Sequence, residues 1–114
     1  MIVNNTEFWS SLDKLVAECE IVIDRPKGTC HPKYADFIYP VDYGYLEGTA
    51  SSDGEGIDVW CGSCGDKIDA IICNIDLLKK DSEIKILVGC SEEEKNLIYS
   101  IMNRDSMKAI LIER

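Results

Sequence analysis

Apolar positions recur along this chain at two periods, and the switch between them marks out its elements. In residues 6–18, TEFWSSLDKLVAE, the residues Phe8, Trp9, Leu12, Leu15 and Val16 fall at helical spacing and predict an amphipathic helix. Residues 20–24 follow as a short strand, which Pro26 and Gly28 end in a turn. Residues 37–46 are aromatic and β-branched, an extended segment interrupted at Pro40 and Gly44, and residues 47–56 are a polar, glycine-rich loop. Strands are predicted over 57–61, 67–75 and 84–90. The run Ser91-Glu92-Glu93-Glu94 then reads as a capping box opening a helix to about Asn103, and residues 108–112 form a last strand. Helices at the two ends with only short strands between them do not alternate as a doubly wound sheet does. The pattern predicts a mostly β (α+β) fold: a small closed OB-like β-barrel with an N-terminal and a C-terminal helix, one domain over residues 1–114.

Composition narrows the function. The chain has 114 residues, 46% hydrophobic and 29% charged, enough for one core. No apolar run reaches the roughly 20 residues needed to cross a bilayer, and the start MIVNNTEFWS lacks a basic segment followed by an apolar one, so a cytoplasmic, non-membrane protein is expected. A formal charge of −9 argues against nucleic-acid partners, which are held by Lys and Arg on phosphates. The six cysteines read as reduced thiols.

The chemistry concentrates in SSDGEGIDVWCGSC, residues 51–64. Cys61 and Cys64 form a Cys-x-x-Cys pair, but the β-branched segment after it is a strand rather than the helix that would activate a redox thiol, and no second pair completes a zinc site. Counting from Asp53, an EF-hand would need glycine and glutamate where Asp58 and Cys64 stand. The acids Asp53, Glu55 and Asp58 suit magnesium, which takes one or two carboxylates and shares its remaining shell with water and phosphate. As an isolated cluster they read more often as a solvated turn than as a metal site.

Upstream lies Tyr39-Pro40-Val41-Asp42-Tyr43-Gly44-Tyr45, and with Asp53-Gly-Glu55-Gly-Ile-Asp58-Val it resembles, in order and spacing, the Tyr-Pro-x-Asn-Tyr-Gly-Tyr and Asp-x-Asp-Pro-Leu-Asp-Val signatures of the soluble family I inorganic pyrophosphatases. The resemblance covers roughly residues 20–90. It implies magnesium ligands at Asp53 and Asp58, with Glu55 as the general base or water-orienting acid and Tyr43 beside the water and phosphates. Asp24 matches an acid that helps hold an outer metal, and Lys33 a substrate-phosphate lysine. A second acidic cluster matches Asp76 and Asp81 as metal ligands with Lys85 on the phosphate; Glu83, correctly spaced from Lys85, is the alternative to Asp81.

This chain departs from the family pattern where a phosphate-binding arginine hairpin should precede Tyr39, leaving Arg25 or Lys27 to supply that charge, and a late Tyr-Lys pair is absent. Glu55 is one methylene longer than the usual aspartate, which implies slower turnover. The implied function is Mg-dependent hydrolysis of inorganic pyrophosphate to orthophosphate. The alternatives are a non-catalytic phosphate- or nucleotide-binding module and a hydrolase of another small diphosphate. A homo-oligomer is left open.

Overall fold

A computed structural model describes residues 5–52 and 54–114. Helix α1 spans Thr6–Ala17, started by Asn5, whose side chain accepts the Glu7 and Phe8 backbone N–H groups. Strands β1 (Ile21–Arg25), β2 (Asp42–Leu46), β3 (Asp58–Cys61), β4 (Ile68–Asp76) and β5 (Asp81–Val88) follow, then helix α2 (Glu92–Ile101) and strand β6 (Met107–Glu113). They form one six-stranded sheet in the order β1-β2-β3-β5-β4-β6, antiparallel except where β3 lies parallel to β5.

Period-2 alternation sorts the side chains between two faces, each roofed by one helix. On one face Trp60, Ala70, Ile72, Leu87 and Ala109 pack with Ile98 and Met102 of the α2 region. On the other, Leu46, Val59, Ile68, Ile86 and Val88 pack with Leu12, Leu15 and Val16 of α1. Beyond the reach of α1 that second face leaves Ile75, Ile84 and Ile110 exposed.

The mostly β character with a helix near each end is as expected. The closed barrel is not: β1 and β6 are the two edges of an open sheet, with no pairing between them among the described residues. The physical reason lies in α1, which covers the apolar face that closure would have sealed. It runs almost directly into β1, and its Asp13 is held by the Arg114 guanidinium beyond β6 at 2.9 and 2.8 Å, so the helix is tied to both edges.

The capping box is present: Ser91 Oγ accepts from Glu94 N–H, and the Glu94 carboxylate accepts from Ser91 N–H and from Ser63 N–H. Those bonds hold the Glu94 carboxyl below its ordinary value against a burial effect that raises it. Gly44 is needed for close approach rather than for an unusual φ, since a Cβ there would run into the Val22 carbonyl oxygen of β1. All six cysteines are unbridged, including Cys61 and Cys64. No helix among the described residues is long and apolar enough to cross a membrane.

Candidate active site

A cleft of about 740 Å³ opens where the α2-covered face of the sheet turns from apolar to polar. The same alternation that buries Trp60, Leu87 and Ile72 puts Asp58, Lys85 and Asn74 two residues away on the same side. Tyr45 pairs with Asp58 across β2 and β3, Asp58 lies one step before the Val59–Ile86 pair of β3 and β5, and Asn74 pairs with Glu83 across β4 and β5. Four strands thus deliver polar side chains to one floor.

Lys85 is the centre of that floor. It is 7% exposed, and its ammonium donates to Tyr43 Oη, Asp58 Oδ2 and Glu83 Oε2, each at 2.7 Å. Burial on its own would push the Lys85 ammonium down, but Tyr43, Asp58 and the two carboxylate hydrogen bonds hold it well above its ordinary value. Burial pushes the Tyr43 phenol up, Lys85 opposes this and Asp58 adds to it, so Tyr43 keeps its proton throughout the neutral range. Its ring packs 4.5 Å from Trp60 and 5.2 Å from Tyr39, centroid to centroid, which fixes where the hydroxyl points.

Of the candidate residues, Asp24, Arg25, Tyr43, Glu55, Asp58, Asp76, Asp81 and Lys85 line this one cleft. Arg25 donates to Tyr39 Oη at its rim. Asp76 caps the β4–β5 turn: its Oδ1 accepts from Leu78 N–H, Lys79 N–H and Ser106 Oγ–H, and these bonds hold its carboxyl below the usual range although what burial it has acts the other way. Asp53 lies outside the described residues. Lys33 is not among the lining residues; its backbone N–H is bonded to His31 Nδ1 at 3.0 Å. Between the two readings of the second cluster, Glu83 is the acid that meets Lys85, because residues two apart on a strand stand side by side while Asp81 is four away.

Two features escaped the sequence. Asn74 is 5% exposed, lines the cleft, and its Oδ1 has no hydrogen-bond partner. Its signal was parity, two before Asp76 on the inward side of a strand. The other is a run of ring contacts leading away from Lys85: Tyr43 to Tyr39, then Tyr39 to His31 at 6.4 Å, then His31 to Tyr34 at 4.9 Å, with Phe37 edge-on to His31 at 5.6 Å. His31 is held below its ordinary pKa by burial and then by Arg25, Lys79 and Lys33, and its Nδ1 accepts the Lys33 backbone N–H.

The donor set is oxygen throughout, the chemistry of a hard cation, and the unpartnered Asn74 Oδ1 opposite Glu83 adds a neutral oxygen to it. Among the described residues no three acidic, His or Cys side chains already converge into a cage.

No protein-family model matches the chain, and no curated protein does. Solved structures do. An inorganic pyrophosphatase from Helicobacter pylori superposes with a TM-score of 0.57 at 14% identity, over 83% of this chain and 81% of that one. A structure described as an inorganic phosphatase from Anaplasma phagocytophilum superposes with a TM-score of 0.56 at 14% identity, over 82% and 81%. The chain has a pyrophosphatase-like fold, as its signatures imply.

Proposed function

From the pyrophosphatase-like fold and the Lys85 cluster as premises, we propose that this chain hydrolyses the P–O–P bond of inorganic pyrophosphate to orthophosphate, with Mg2+ as cofactor. The observation that carries the reading is a buried ammonium fixed among Tyr43, Asp58 and Glu83 on the floor of an acid-lined cleft. Phosphoryl transfer needs positioned charge more than covalent help, and a cation held in a low-dielectric site neutralises developing negative charge without reorganising.

In this scheme Arg25 faces the phosphate oxygens, and Lys85, its three N–H groups donated to Tyr43, Asp58 and Glu83, acts on them as a fixed positive charge. Glu55, on the β2–β3 loop at the cleft wall, accepts the proton of the attacking water as its oxygen bonds to phosphorus and the bridging P–O bond breaks. Tyr43, kept protonated, sits with its hydroxyl between Lys85 and Asp58 and fixes both beside the phosphate. One or two of the carboxylates Asp58, Glu83 and Asp81 would hold Mg2+ beside Asn74, with Asp53, Asp24 and Asp76 as the further acids implied by the signatures. Bound Mg2+ supplies charge neutralisation and a lowered water pKa. It also answers how a chain of net charge −9 would take an anion.

The test is orthophosphate release from pyrophosphate with Mg2+ and with a chelator. Asp58→Asn and Glu55→Gln should each lower turnover by about 10²-fold or more, the range of a lost acid–base group. Full activity in both variants rejects the assignment.

A further inference from the structure

The phosphate-directed groups use only part of the cleft. Bare pyrophosphate is far smaller than the drug-sized ligands that fill pockets of about 300–1,000 Å³, yet this cleft has about 740 Å³ and continues past Tyr43 along the ring contacts to His31 and Tyr34. In that series Tyr39 is 3% exposed and its neighbour Trp60 1%, whereas Tyr34 at the outer end is 50% exposed. Both His31 and Phe37 are only partly buried, so the series ends in aromatic surface facing the cleft rather than in closed core.

We propose that the same cleft also takes an organic diphosphate, a nucleoside 5′-diphosphate or its ester, whose base stacks on Tyr34 and His31 while its diphosphate lies before Lys85. This rests on the hydrolase reading above and widens its substrate class beyond inorganic pyrophosphate. For a nucleoside diphosphate the water oxygen bonds to the terminal phosphorus and the bridging P–O bond breaks. The bridging oxygen leaves with the nucleoside monophosphate, and the water proton passes to Glu55 and on to solvent. No co-reactant beyond water is consumed.

The experiment separates binding from turnover. Calorimetric titration of the full chain with adenosine 5′-monophosphate and with ribose 5-phosphate should show the former binding roughly 5- to 150-fold more tightly, the range that stacking a base on an aromatic side chain gives. Tyr34→Ala should erase that difference and Tyr34→Phe should keep it; half exposed, Tyr34 is a position where a melting curve is expected to be unchanged. Equal affinities for the two probes, or a Tyr34→Ala variant that keeps the preference, overturn the proposal. Phosphate release is then compared for pyrophosphate and adenosine 5′-diphosphate. Turnover of pyrophosphate alone, with no base preference in binding, removes the ring site and leaves the hydrolase. A base preference lost in Tyr34→Ala with no turnover of either supports the ring site and removes the hydrolase.

Discussion

Replacing Lys85 by methionine removes the charge while keeping most of the stem. Two carboxylates then face each other across the position the ammonium held: Glu83, with 14% of its side chain exposed, and Asp58, with 27%. Removing one partner of a buried pair costs about 3–5 kcal/mol, because the other is left desolvated and unpaired. Partial exposure of Asp58 places this case at the lower end, about 3 kcal/mol, against a total of about 5–15 kcal/mol for a domain. At about 4 °C per kcal/mol for a chain of this size, the midpoint should fall by about 12 °C. Thermal unfolding followed by the fluorescence of Trp9 and Trp60 measures it. Lys85→Met combined with Glu83→Gln should recover part of the loss, a coupling of about 1–3 kcal/mol in the double-mutant cycle. The pH dependence carries a definite sign: Lys85 and Tyr43 both hold their protons more tightly folded than unfolded, so their contribution is complete at neutral pH and is lost as pH rises above the ordinary tyrosine and lysine values of 10.0 and 10.5. A Lys85→Met loss below 1 kcal/mol that is additive with Glu83→Gln refutes the buried-cluster account.

Two further predictions concern the scaffold. Glu94→Ala removes the reciprocal half of the capping box and the anchor for Ser63 N–H, and should cost about 1–2 kcal/mol in thermal unfolding, with Glu94→Gln retaining part of it. Gly44→Ala forces a methyl into the Val22 carbonyl and should separate β1 from β2, seen as fast hydrogen exchange at Val22 and Tyr45; unchanged protection would disprove the close-approach argument.

What the sequence could convey followed from how local the signal was. Ser91 and Glu94 act through neighbours in the chain, and α2 starts where they indicate. β5 begins at Asp81 rather than near residue 84, because the tight β4–β5 turn places Lys80 at φ 58° and its polar start, Asp81-Ser82-Glu83, shows no hydrophobic alternation. Residues 37–46 are extended in composition, but only Asp42–Leu46 is a regular strand; Cys30 and Ile38 make a lone bridge and Tyr39 is spent in the core. Motif order pointed to Lys85, Asp24, Glu55, Asp58, Asp76 and Asp81, which line the cleft, but it preferred Asp81 to Glu83, the acid that meets Lys85. Asn74 and the His31–Tyr34 end of the cleft were not legible: the parity of Asn74 points inward only once the strand's register is known, and rings in a loop carry no spacing signal until the chain path is known. The open sheet was equally invisible: whether strands close depends on which element covers the remaining face.

That openness governs how the chain behaves as pH is lowered. β6 presents a seven-residue edge with Ile110 61% exposed, and its only charged side chains are Lys108 and Glu113. At neutral pH mutual repulsion between chains of charge −9 keeps such edges from meeting. Near the isoelectric point of about 4.5 this repulsion vanishes, and β-edge self-association should cloud the solution while the fold is still intact.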